Sequence, residues 1–263
     1  LFARLAIEAG AIAIDILARP EIHSHMKSDQ SPVSEADERI EAFLMGALER
    51  ALPGVPSIAE EAAARGETPS HADAFLLIDP IDGTREFIGR SPEFTVNVAL
   101  VDKLQPVAGA IYAPAGARVW FAGTQGFTTK AMAGGALSAP QNWSALNARP
   151  RPAGGLTALL SKSHPDEKTV ALLNSLPIRE RRPMGSSLKF CVIAQGKADI
   201  YPRFGRTMEW DTAAGDAILR AAGGAVLTPG GEPLDYGKAE GFYRNGPFIA
   251  WGDAQSATAA TLS

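Results

Sequence analysis

The chain has 263 residues, 46% hydrophobic and 21% charged, with a formal net charge of -4 and a single cysteine, Cys191. That balance matches an ordinary globular protein and argues against wholesale disorder. A mildly acidic chain has no global pull toward nucleic acid or anionic membrane, no apolar run approaches ~18 residues, and one cysteine makes neither an intrachain disulfide nor a cysteine-based zinc site.

Residues 1–18 are rich in Ala, Ile and Leu and predict a helix ended by Pro20. The helical pattern already runs at Leu1, so a few further residues are expected before it. No charged–apolar–cleavage pattern of a signal peptide is visible. Residues 23–33 are polar and predict a loop holding His23 and His25. Ser34 opens a second predicted helix, with Asp37 at capping-box spacing in place of the usual Glu. Ile40, Phe43, Leu44, Ala47 and Leu48 then form one apolar face, and Pro53-Gly54 stops it. Strand-like runs follow at 75–79, 94–101, 107–113 and 118–121, the last two flanking the hairpin signal Pro114-Ala115-Gly116. The Gly-, Ala-, Pro- and Ser-rich stretch 123–152 marks the expected domain boundary, with an α+β domain over 1–130 and an α/β domain over 131–263. Beyond it strands (157–161, 179–182, 198–201) alternate with helices (166–176, 187–195, 211–222), as in an α/β layer.

The strongest local signal is Asp79-Pro80-Ile81-Asp82-Gly83-Thr84. Two carboxylates sit three apart at the end of an apolar run, and anions that close repel unless a cation lies between them. Oxygen-rich open sites suit Mg2+, which keeps several waters and binds through carboxylates plus substrate phosphate. Gly83 allows close backbone approach to an anion, and amides at a helix start at Thr84 would face it. Read alone, the motif is about as well explained by aspartates capping a helix. Glu60-Glu61 and Trp210-Asp211-Thr212-Ala213-Ala214-Gly215 are likewise ordinary taken singly, Glu60 as a solvated helix residue and Asp211 as an N-cap.

Taken in order, Glu60-Glu61, the 79–84 motif and the 210–215 motif resemble the inositol monophosphatase superfamily of metal-dependent, lithium-sensitive phosphatases. Ser34-Glu35-Ala36-Asp37 resembles its upstream Thr-x-x-Asp element, with Ser for Thr. The resemblance implies a layered αβαβα sandwich of the sugar-phosphatase type, with the site between its two halves. It implies two to three Mg2+ ions: Glu60, Asp79 and the Ile81 carbonyl on the first, Asp79, Asp82 and Asp211 on the second, and a labile third near Glu60. It implies that Thr84 orients the attacking water, that Asp37 pairs with Thr84, and that the Gly83 and Thr84 amides hold the scissile phosphate. Cys191 lies mid-helix among Phe190, Val192 and Ile193 and reads as core.

The second half bears on substrate. Ser161-Lys162-Ser163-His164, Gly185-Ser186-Ser187-Leu188-Lys189 and Tyr201-Pro202-Arg203 put hydroxyls and cations at strand ends and a helix start. Ser186-Ser187 at a helix N-terminus and Arg203 as a planar fork are phosphate-friendly. Singly, each cation reads as an ordinary surface charge. Together they resemble the 3'(2'),5'-bisphosphate nucleotidase branch, which converts 3'-phosphoadenosine 5'-phosphate to AMP and clears this by-product of sulfate assimilation. By that resemblance Ser186, Lys189, Arg203 and His164 line the seat of the surviving phosphate or the nucleotide pocket. Asp211 would face both metal and substrate. Two alternatives stay open: an inositol 1-phosphate or histidinol phosphate phosphatase of the same superfamily, and a non-catalytic nucleotide or metal binder. A degenerate binder would be expected to lose a metal carboxylate, and Glu60, Asp79, Asp82 and Asp211 are all present. The expected partner is a small phosphate ester, not a nucleic acid polymer, since the aromatics form no stacking platform. A cytoplasmic homodimer is the accompanying expectation.

Overall fold

Apolar residues at helical spacing build α1 (Phe2–Leu17), which buries Leu5, Ala6, Ala9, Ala13 and Ile16 and stops before Pro20. The computed structural model describes residues 1–27, 30–69, 72–162 and 166–255. Next come β1 (Ser24–Met26) and β2 (Pro32–Ser34), antiparallel with Met26 opposite Pro32. The expected loop over 23–33 is therefore corrected to a small hairpin. Its strands are three residues long, too short to show alternation. Helix α2 (Glu35–Ala51) starts at the Ser34 cap, and both hydrogen bonds of the capping box to Asp37 are present.

The chain continues through β3 (Ser57–Ala59), α3 (Glu60–Ala64), β4 (Ala74–Asp82), α4 (Thr84–Ile88), β5 (Thr95–Asp102), β6 (Gln105–Ala113), β7 (Arg118–Ala122), β8 (Gly126–Lys130) and β9 (Ser144–Ala145). These strands form one sheet in the order β3-β4-β5-β6-β7-β8-β9, with β3 and β4 parallel and the other pairs antiparallel. The stretch 123–152 thus carries the last two strands of this sheet, and β9 lies beyond residue 130.

The second half holds β10 (Leu156–Ser161), α5 (Glu167–Ser175), β11 (Ile178–Met184), α6 (Leu188–Ala194), β12 (Ile200–Arg203), α7 (Ala213–Ala221), β13 (Ala225–Leu227) and β14 (Phe248–Trp251). Its five-stranded sheet runs β11-β10-β12-β14-β13. Strands β13 and β14 carry no expectation above; at three and four residues they give no usable period. Among the described residues no helix is long and apolar enough to cross a membrane.

Side-chain alternation sorts these elements into layers. Along β4, Leu76 and Ile78 face a core shared with α1 and α2, while Phe75 and Leu77 face a second core shared with α6 and α7. The five-stranded sheet closes that second core with Tyr201, Phe248 and Ala250. Its other face packs Ala158, Ile200 and Trp251 against Leu173 of α5. The order is helix, sheet, helix, sheet, helix, the expected αβαβα sandwich. Each fully buried Leu or Ile contributes roughly 1.5–3 kcal/mol to holding the layers together. Gly215 lets α6 and α7 touch: a Cβ there would lie 2.4 Å from the Phe190 ring. That close approach sets where the start of α7, and with it Asp211, meets the first sheet.

Candidate active site

The end of β4 explains how two carboxylates three apart share one cleft. Strict alternation would put Asp79 and Asp82 on opposite faces. Pro80 has no N–H to give the ladder. The register to β5 shifts between the Asp79–Asn97 pair and the Asp82–Thr95 pair, a bulge that re-aims the strand end. Gly83 then adopts φ +97°, and a Cβ there would lie 3.0 Å from the Glu93 carbonyl oxygen. Only glycine makes this turn into α4 without strain.

Thr84 begins α4, and its Oγ lies 3.0 Å from Asp37 Oδ1 and 3.1 Å from the Ile81 carbonyl. Asp37 is fully buried, and its Oδ2 accepts from the Ser34 N–H and Oγ at 2.8 and 2.5 Å. The helix cap and the Thr84 contact are therefore one network. Burial pushes the Asp37 carboxyl up, while the Ser34 and Thr84 bonds oppose it.

The other aspartates divide their two oxygens in a similar way. Asp82 Oδ2 accepts from the Ser187 N–H and Oγ, both at 2.5 Å. Asp211 Oδ2 accepts from the Met208 N–H at 2.7 Å. Asp79 is 1% exposed, and its buried Oδ1 has no hydrogen-bond partner. An orphaned buried carboxylate oxygen is costly unless a cation satisfies it. Burial, and then the charges of Glu60, Asp82 and Asp211, hold Asp79 well above the usual carboxylate range. Burial and then Asp82 push Asp211 up to about 8. This donor set, all oxygen and over-charged, fits a hard divalent cation. Among the described residues no three such side chains converge closely enough to enclose an ion unaided. An ion here would complete its shell with water and substrate oxygens, which suits Mg2+.

One cation paired with a carboxylate of this cluster has no counterpart in the sequence reading. Lys27, just after β1, places Nζ 2.7 Å from both Glu60 Oε1 and Glu61 Oε1. Burial works against its charge, but the two carboxylates override it and hold its pKa above the ordinary lysine value. Lys27→Met should therefore destabilise the protein by about 2–4 kcal/mol in chelator, because a broken buried pair leaves its partners uncompensated. Added Mg2+ should recover more stability in the variant than in the parent. Urea unfolding with and without Mg2+ checks this; an equal Mg2+ response in both proteins would show that the ammonium and the ion do not share Glu60.

Glu60, Asp79, Ile81, Asp82, Gly83, Thr84, Ser186, Lys189, Arg203 and Asp211 all line one cleft of about 550 Å3. Asp37 stands behind Thr84, and His164 lies outside the described residues. Ser187 lines the cleft too, but it is 2% exposed and its N–H and hydroxyl both meet Asp82. Ser186 keeps its place on the wall, with φ +50°. Lys189 lines the cleft but is only 4% exposed. Its Nζ donates to the carbonyls of Met184 (3.1 Å) and Ser186 (2.6 Å) and lies 4.9 Å from the Tyr201 ring centre. Burial pulls the amine down to about 8 against the attraction of Asp82. Arg203 is nearly buried and donates to the Arg206 carbonyl at 3.2 Å. Arg206, which the sequence reading passed over, is exposed on the same wall. Its position three residues beyond Arg203 was the available signal.

A model of the inositol monophosphatase family matches residues 2–263. The chain is 40% identical to the 3'(2'),5'-bisphosphate nucleotidase CysQ of Escherichia coli (strain K12) over 220 residues, 84% of this chain and 85% of that protein. It is 37% identical to the protein of the same name from Salmonella typhimurium over 245 residues, 92% of this chain and 95% of that one. The crystal structure of CysQ from Bacteroides thetaiotaomicron, a bacterial member of the inositol monophosphatase family, superposes with a TM-score of 0.78 at 34% identity, covering 94% of each chain. An inositol monophosphatase from Thermotoga maritima superposes at 0.77 with 20% identity, covering 99% of this chain and 94% of that one, a likeness of fold alone.

Proposed function

Because the chain belongs to the inositol monophosphatase family, we propose that it is a Mg2+-dependent 3'(2'),5'-bisphosphate nucleotidase, hydrolysing 3'-phosphoadenosine 5'-phosphate to AMP and phosphate. The observation that carries the reading is one cleft with two chemistries. Its acidic part holds Glu60, Asp79, Asp82 and Asp211, and its basic wall holds Arg203 and Arg206. The first suits divalent cations around the scissile phosphate, and the second suits a phosphate that survives. A cytoplasmic homodimer accompanies this reading by family likeness.

In this reading Glu60, Asp79 and the Ile81 carbonyl hold one Mg2+, and Asp79, Asp82 and Asp211 hold another, with a third near Glu60. The ions, when bound, make water more acidic and stabilise charge on the entering and leaving oxygens. The chain supplies position. Thr84 gives its hydroxyl hydrogen to Asp37 Oδ1, so its lone pairs are left to accept a hydrogen from water and aim it at phosphorus. Asp37 is held by Ser34 and serves to orient Thr84. The Gly83 and Thr84 amides face the phosphate oxygens. The 3' ester oxygen leaves with a proton from solvent as phosphate forms.

Initial rates on 3'-phosphoadenosine 5'-phosphate, inositol 1-phosphate and histidinol phosphate, side by side with Mg2+, test the reading. The expected result is a kcat/KM for the bisphosphate at least ~100-fold above the other two, the scale set by one or two charge-assisted hydrogen bonds to the second anion. A preference for inositol 1-phosphate or histidinol phosphate would move the chain to another branch of the family.

A further inference from the structure

We propose that Ser187 is a positioning residue for Asp82, fixing which carboxylate oxygen that side chain offers to a divalent ion. The inference rests on the reading of Asp82 as a metal ligand. Ser187 immediately precedes α6 in the second half, while Asp82 ends β4 in the first. The Ser187 N–H and hydroxyl both meet Asp82 Oδ2 at 2.5 Å. Two donors on one oxygen occupy its lone pairs and leave Oδ1 as the coordinating atom. A carboxylate pinned this way binds through one oxygen, which matches the strict octahedral shell of Mg2+ better than a freely rotating, chelating one.

The hydroxyl is itself constrained. Asn97 Nδ2 donates to Ser187 Oγ at 2.9 Å, so the Ser187 hydrogen must point away from Asn97. Two acceptors remain for it, Asp82 Oδ2 at 2.5 Å and the Asp211 carbonyl at 2.9 Å. The charged acceptor is the stronger. Asn97 sits opposite Asp79 in the β4–β5 register and is 1% exposed. A single buried hydroxyl therefore touches the surroundings of three residues of the acidic cluster: it bonds to Asp82, contacts the backbone of Asp211, and is set by the strand neighbour of Asp79. With its N–H and hydroxyl both directed at Asp82, Ser187 has no donor left for a substrate oxygen.

Manganese titrations followed by electron paramagnetic resonance, without substrate, test this. Asp82→Asn is the reference and should lose tight Mn2+ binding. Ser187→Ala should weaken Mn2+ binding ~10-fold, with KM for substrate unchanged at saturating metal and kcat falling less than the metal affinity. Ser187→Thr, which restores the hydroxyl, should return Mn2+ affinity to within ~3-fold of the parent whatever its melting temperature. Asn97→Ala should weaken binding in the same direction by less, and it carries the test if Ser187→Ala does not fold. Unchanged Mn2+ affinity in Ser187→Ala with only a lower melting temperature would overturn the proposal, as would a raised KM with normal metal binding. If Asp82→Asn binds Mn2+ normally, the metal reading of Asp82 fails instead.

Discussion

Asp82→Asn is expected to lose turnover by a factor on the order of 10³ or more at saturating Mg2+ while the protein still folds. The amide has the shape of the carboxylate but neither of its useful orientations survives. If the amide oxygen accepts from Ser187, its NH2 group faces the cation. If the NH2 group turns to Ser187, it meets an N–H and a hydroxyl that both donate to Asp82 in the parent. Either way the ion loses a full negative charge, and metal-borne charge stabilisation is worth several kcal/mol in such reactions. The fold has no matching reason to suffer. Burial already disfavours the Asp82 charge, and Asp79, Asp211 and Glu60 all feel neighbouring anions. Neutralising one of them relieves repulsion. The opposing loss is the counter-charge of buried Lys189, whose amine Asp82 favours in its charged form. Melting temperature in chelator should therefore hold or rise. Near-normal kcat at saturating Mg2+ would remove Asp82 from the ligand set.

What the sequence made legible was whatever is local. The Ser34–Asp37 cap joins residues three apart and reads directly from that spacing. The Asp79 and Asp82 pair is legible for the same reason, though the register shift that turns both toward the cleft is not. Longer apolar runs such as those of β4 and β5 read as strands, while β13 and β14 do not, since three or four residues carry no period; the layered order itself was legible only through the family resemblance. Contacts across the fold left no trace. Lys27 meets Glu60 at a separation of 33 positions and sits in a polar stretch that reads as a loop. Ser187 meets Asp82 at a separation of 105 positions, and its neighbour Ser186 has the same chemistry in a different setting: both line the cleft, but Ser187 is buried with its donors on Asp82. Ser186 takes a φ of +50°, and a non-glycine residue gives little local warning of that conformation.

The substrate reading leads to a differential result: Arg203→Ala should cost ~10–100-fold in kcat/KM on 3'-phosphoadenosine 5'-phosphate and much less on adenosine 3'-monophosphate. Charge-assisted hydrogen bonds are worth about 1.5–3 kcal/mol each, which sets that range. Arg203 ends β12; a Cβ at Gly205 would lie 3.6 Å from its guanidinium carbon, and its Nη2 donates to the Arg206 carbonyl at 3.2 Å. The fork is thus held in place before substrate arrives, so little side-chain entropy is lost on binding a phosphate. Lys189 is the weaker candidate for the same role, since two backbone carbonyls already take two of its three hydrogens. Lys189→Met should accordingly lower activity on both substrates alike, through Asp82, while Arg203→Ala discriminates. Arg206, exposed on the same wall, is expected to share the anion, and Arg206→Ala should show the same selectivity with a smaller loss. Steady-state kinetics on the two nucleotides, with Mg2+ affinity measured in parallel, separate these cases. Equal losses on both substrates for Arg203→Ala would place its effect on the scissile phosphate or on the packing of β12, and the second anion would then need another seat.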